Sequence, residues 1–129
     1  MCIRDRAYVT LRTADFSSCP GNINGLLVID IDNVNNVDLL TEIEMTSPFG
    51  MTVIGTDLYV GEGENGLKIF DITNRKRPSL KASHDIEAYD IIADPFDSSI
   101  VFIAGPGGLS QFTIDGQTEN LSLKSVVTY

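Results

Sequence analysis

Gly66-Leu67-Lys68-Ile69-Phe70-Asp71-Ile72-Thr73-Asn74 decides the fold, because the chain carries this pattern three times. Aligned from the shared glycine without gaps, Gly25-Leu26-Leu27-Val28-Ile29-Asp30-Ile31-Asp32-Asn33 precedes it. Gly108-Leu109-Ser110-Gln111-Phe112-Thr113-Ile114-Asp115-Gly116 follows it, and the three glycines stand 41 and 42 positions apart. A period of this size belongs either to helical repeats or to the blades of a propeller. Each copy is rich in β-branched and aromatic residues and ends in turn formers, which selects a strand. Ile29, Phe70 and Phe112 share a face with Ile31, Ile72 and Ile114, two positions on, whereas the leucine after each glycine points the other way. Apolar side chains on both faces require burial on both sides, which a strand packed between two neighbouring blades receives.

Working outward, the central unit is expected to contain strands at Gly50–Ile54, Leu58–Glu62, Gly66–Ile72 and Ser79–His84. In the third unit, Tyr89 to Ala93 is set against Gly50 to Ile54, and Val101-Phe102-Ile103 against Leu58-Tyr59-Val60. The spacing thus grows from 39 to 43, and the four added positions fall in the turn Asp94-Pro95-Phe96-Asp97-Ser98-Ser99. The first unit offers three strands, near Ala7–Leu11, Gly25–Ile31 and Leu39–Met45. The expected architecture is all-β: a β-propeller fragment of about three four-stranded antiparallel blades. Residues 7–46 form an incomplete blade, 47–85 a second and 86–129 a third. Residues 1–6, Met-Cys-Ile-Arg-Asp-Arg, are set aside as an extension produced by assembly of a partial reading frame. Stacked repeats bury their faces only against neighbours, so both outer faces imply further blades of a full-length chain.

With 129 residues, 43% of them hydrophobic, the chain can bury a core and shows no sign of disorder. Nine basic residues against 18 acidic ones give a net charge of −9, which would repel a phosphate backbone and excludes nucleic acid as a partner. No apolar run approaches the roughly 18 residues of a membrane span, and residues 1–6 lack an apolar signal core. Cys2 and Cys19 lie 17 positions apart without a neighbouring Cys or His, so neither a zinc site nor a disulfide framework is indicated.

The tracts Leu27-Val28-Ile29-Asp30-Ile31 and Lys68-Ile69-Phe70-Asp71-Ile72, each closing a strand before an Asn-containing turn, resemble the repeats of the LVIVD-repeat β-propeller family. The similarity runs across most of Ala7 to Val127. Ala7-Tyr8-Val9-Thr10-Leu11-Arg12, with the Cys-bearing loop and Asn24-Gly25-Leu26 after it, looks like members from Bacteroidetes-type bacteria, often exported lipoproteins. The third copy departs from the pattern, with Gln111, Phe112 and Thr113 in place of the aliphatic-aliphatic-Asp tract. The resemblance implies a seven-bladed or similar propeller in the periplasm or at a bacterial cell surface, with no reaction and no catalytic motif to carry over.

In propellers the loops between the second and third strands of each blade gather with the inter-blade connections on one face. The first such loop, residues 12–24, is the longest, and long loops on rigid scaffolds concentrate binding function. It supplies Asp15, Ser17, Cys19 and Asn22 as candidate binding residues, and the neighbouring hairpin supplies Glu62, Glu64 and Asn65. The hairpin trio could offer oxygen ligands to calcium but falls short of the six to eight that ion takes, so no metal site or cofactor is assigned. Asp30 and Asp71 recur in register and read as turn carboxylates that accept backbone N–H groups. His84, in Ser83-His84-Asp85, reads as a surface-loop residue without a partnered nucleophile, and Cys19 has no base to activate it. Gly105-Pro106-Gly107-Gly108 is hairpin punctuation, and Arg75-Lys76-Arg77 a solvated basic turn. No catalytic residue is assigned. The function expected is non-enzymatic binding of a protein or glycan. The alternative is a lactonase-like, metal-dependent hydrolase completed by blades outside this sequence.

Overall fold

The repeat becomes three four-stranded antiparallel sheets, each with its strands in chain order. The structure, a computed structural model, describes residues 2–3 (backbone only), 5–13, 23–117 and 120–128. Among these there is no helix, and so none long and apolar enough to cross a membrane. The first sheet holds β1 (Cys2–Ile3), β2 (Arg6–Leu11), β3 (Gly25–Asp30) and β4 (Asp38–Glu44). The second holds β5 (Met51–Ile54), β6 (Asp57–Gly61), β7 (Leu67–Asp71) and β8 (Ser79–His84). The third holds β9 (Asp90–Ala93), β10 (Ile100–Gly105), β11 (Gly108–Ile114) and β12 (Leu121–Val127).

Alternation along β7 sends its side chains into two separate cores. Leu67 and Ile69 join Tyr59, Ile91, Val101, Ile103, Phe112 and Ile114 between the second and third sheets. Phe70 and Ile72 join Tyr8, Leu26, Val28, Leu58 and Val60 between the first and second. One packing rule therefore operates twice: the face bearing the post-glycine leucine of one blade meets the face bearing the aromatic or isoleucine pair of the next. The same two faces recur at the outside. Leu39 and Ile92 are each 57% exposed and Leu109 is 40% exposed, although their positions belong to the apolar pattern.

Two further features recur from blade to blade. The pairing of third and fourth strands is broken by a bulge at Val28/Ile29, Ile69/Phe70 and Gln111/Phe112, equivalent places in the three copies. The turn that follows is built on a carboxylate: Asp30 accepts the N–H of Asp32 at 2.9 Å and Asp71 that of Thr73 at 2.7 Å. In the third copy, where Thr113 replaces the Asp, the acceptor moves two residues on, and Asp115 takes the N–H of Gln117 at 2.9 Å. The turns also tie blades together. The Tyr8 hydroxyl, its residue fully buried, donates to the Arg75 carbonyl at 3.1 Å, and Thr41 Oγ1 donates to the Lys76 carbonyl at 2.6 Å.

The structure corrects the sequence reading in three places. Met51 pairs with Val60 as Ile91 pairs with Ile103, so β5 and β9 are 40 positions apart and not 39. Tyr89 thus corresponds to Phe49, and the loop over residues 94–99 adds three positions. A one-residue slip exchanges the faces of a strand, and the pairing register settles which faces are buried. The first sheet contains a fourth strand, since Cys2 pairs with Ala7 and Ile3 with Arg6; two residues are too few to show a period. His84 is the last residue of β8, opposite Leu67, as the expected strand Ser79–His84 has it and not as the surface-loop reading of Ser83-His84-Asp85 has it.

Two outcomes are expected. Tyr8→Phe removes one inter-blade hydrogen bond without altering packing, and chemical denaturation should show a loss of about 1 kcal/mol at unchanged m-value. The Thr73 side chain and N–H hold the Asp71 carboxyl below its ordinary 3.8, and those of Ser99 do the same for Asp97. The contribution of these turns is therefore present above the unfolded-state value and lost as pH falls through the lower folded-state value. Carbon-detected NMR titration should place both midpoints below 3.8.

Candidate functional site

Connections at one end of the sheets converge as expected. Phe49 N–H donates to the Gly61 carbonyl at 2.8 Å, Gly50 N–H to Tyr89 at 3.0 Å, and Tyr89 N–H to Ala104 at 2.8 Å. Gly63 and Ala88 exchange both backbone hydrogen bonds, which pins the second blade's hairpin to the β8–β9 connection. From the first blade, Thr10 Oγ1 donates to the Phe49 carbonyl at 2.9 Å.

These contacts bring Phe49 and Tyr89 together. They occupy the same position in successive blades, each placed by its backbone bond to the second strand. Their ring centroids lie 5.0 Å apart at 81°, an edge-to-face pair. Both rings press on Gly63, whose φ is +58°. A Cβ there would stand 2.9 Å from Phe49 Cε2 and 3.1 Å from Tyr89 Cε1, so a glycine is required both for the backbone and for the rings. The guanidinium of Arg12 sits over the Phe49 ring, its Cζ 3.8 Å from the centroid.

Carboxylates surround the pair. Glu62 is 3% exposed; its Oε1 accepts the N–H groups of Thr46 at 2.8 Å and Ser47 at 3.2 Å. Its Oε2 lies 4.0 Å from Lys68 Nζ. Glu62 thus anchors the hairpin to the β4–β5 connection. Asn65 closes the same hairpin, its N–H donating to the Glu62 carbonyl at 3.0 Å, while Glu64 is exposed at the tip. The Tyr89 hydroxyl donates to Glu87 Oε1 at 2.9 Å. That bond to a carboxylate, then burial, then the charges of Glu87 and Glu64 push the Tyr89 phenol above 10.0. Ser47, Phe49, Glu62, Glu64, Asn65 and Tyr89 line a cavity of about 210 Å³.

Of the residues proposed from sequence, Glu62, Glu64 and Asn65 are brought together at this cavity. Asp15, Ser17, Cys19 and Asn22 lie outside the described residues. Phe49, Tyr89, Glu87 and Arg12 were not anticipated. The available signal was the pair of aromatics 40 positions apart, hidden when Tyr89 was set against Gly50. Among the described residues, no group of three or more His, Cys, Asp or Glu side chains is placed to share a metal ion. A larger hollow of about 620 Å³ lies beside Ile23, Asn24, Glu42 and Glu44, next in sequence to residues 14–22.

Three stacked, sequentially wound four-stranded sheets with one inter-blade packing rule define a propeller-type repeat protein. Residues 50–86, which enclose all four strands of the central blade, match the family model described as LVIVD repeat, a repeat associated with β-propeller folds. No curated protein and no solved structure matches the chain.

The Tyr89 phenol should titrate above 10.0 in NMR of the ring carbon bearing oxygen, and Glu87→Gln should bring it down. A raised folded-state value contributes stability below the unfolded-state pKa and loses it as pH rises through the folded one. High-pH unfolding should accordingly change in the Glu87→Gln variant.

Proposed function

We propose that the chain is a non-enzymatic binding module that takes a protein or glycan ligand at the end of the blades where Phe49, Tyr89 and the Glu62–Gly66 hairpin converge. The observation that carries this reading is the cavity itself. It is lined by two aromatics from consecutive blades and by polar groups from the hairpin between them, all positioned by backbone hydrogen bonds of the sheets. Aromatic rings fixed on a rigid frame give contact area at small entropic cost, which is the composition of binding centres. Arg12, at the start of the β2–β3 connection, stands at the same end over Phe49, and the sequence of that connection adds Asp15, Ser17, Cys19 and Asn22 as further candidates.

Further blades of the same repeat are the natural cover for the outer faces that leave Leu39, Ile92 and Leu109 exposed, given the packing rule already used twice. An exported location, in the periplasm or at a bacterial cell surface and with a lipid anchor on the full-length protein, rests on the resemblance of the repeats to that family.

Probing peptide and glycan arrays with the protein tests the binding surface. A retained ligand should lose about tenfold or more in affinity when Phe49→Ala or Tyr89→Ala is introduced, as expected for central aromatic contacts. Each variant's thermal transition should be compared with wild type to confirm folding. A ligand whose affinity ignores both substitutions overturns the proposal.

A further inference from the structure

We infer that the cavity beside Tyr89 is a seat for a positively charged side chain, an arginine or lysine of a partner polypeptide; this rests on the binding surface proposed above. The chain already contains an example of the interaction. Strand pairing makes Arg12 and Gly63 equivalent, since Thr10 opposes Leu26 as Gly61 opposes Leu67. Each follows the second strand of its blade and meets the aromatic that opens the next blade. At the first junction that residue is Arg12, and its guanidinium covers Phe49. At the second it is Gly63, which meets Tyr89 without a side chain to cover it.

What surrounds Tyr89 suits a cation brought from outside. Tyr89 lines the cavity and receives from Gly63 no covering side chain of the kind Arg12 gives Phe49, and an aromatic face attracts a guanidinium or ammonium through its quadrupole. Glu87 holds the Tyr89 hydroxyl, Glu64 stands exposed at the rim, and Glu62 closes the wall. The cavity, about 210 Å³, has room for a single side chain. A chain of net charge −9 draws a basic partner toward it at low salt. The occupant is specified as a cationic side chain by aromatic faces and carboxylates together, which neither group would do alone.

The amide resonances of Gly63, Glu64 and Tyr89 report occupancy during titration with a blocked arginine amide, a blocked glutamate amide or an N-acetylglucosamine trimer. The arginine probe should shift all three amides and weaken with added NaCl. Glu64→Gln should reduce its affinity about two- to fivefold, the range of an exposed ion pair. Tyr89→Leu should reduce it by a similar or larger factor. Arg12→Ala, by removing the nearby positive charge, should tighten binding about twofold or more.

Shifts produced by the glutamate probe or the trimer in place of arginine would overturn the cation assignment while leaving the binding surface standing. Weaker arginine binding in Arg12→Ala would also overturn it. If no probe moves these amides, the cation seat is refuted, and the arrays judge the surface separately.

Discussion

Leu67 and Ile69 leave β7 on one side, Phe70 and Ile72 on the other, and each pair is buried in a different core. The rest of the structure depends on this double burial. Each such side chain removed from water contributes on the order of 1.5–3 kcal/mol, so one strand secures both of its neighbouring sheets. The second blade is thereby held from both sides. The flanking blades have one satisfied face each, and the chain's stability is a sum over junctions more than over blades.

This constraint is what made the fold legible. A strand buried on both faces must be apolar at nearly every position and must be framed by turns, so it repeats recognisably even when Thr113 replaces Asp71's counterpart. The second and third strands of each blade were placed to within about two residues for that reason. The inner strands were harder. β5 and β9 have four residues each, and Gly50 and Tyr89 offered no apolar match to fix their relative register. β1 has two residues and no readable period, so only its pairing with Ala7 and Arg6 reveals it.

Of the candidate site, the hairpin residues were the part legible in the sequence. Glu62, Glu64 and Asn65 lie together on the short connection between Gly61 and Leu67, where sequence proximity is spatial proximity. Phe49 and Tyr89 are brought together by the stacking of blades, which sequence distance conceals. Arg12 joins them because the first blade's connection carries a side chain where the second blade's carries none. Gly63, assigned no role from the sequence, is the residue against which both rings are set.

The bulge repeated at Val28/Ile29, Ile69/Phe70 and Gln111/Phe112 acts on the outermost strand of every sheet. β4, β8 and β12 end their sheets with unpaired backbone groups, the kind of edge to which a strand from another molecule can add. A bulge interrupts the regular spacing of those groups and increases local twist, and Glu42, Glu44, Lys81 and Lys124 put charge along the same edges. These edges are therefore poor templates for fibre-like growth by strand addition, whereas the outer blade faces keep the exposed apolar residues Leu39, Ile92 and Leu109. The apolar repeat pattern and the charged edges thus divide the surface: the faces match the packing rule used inside the chain, and the edges do not.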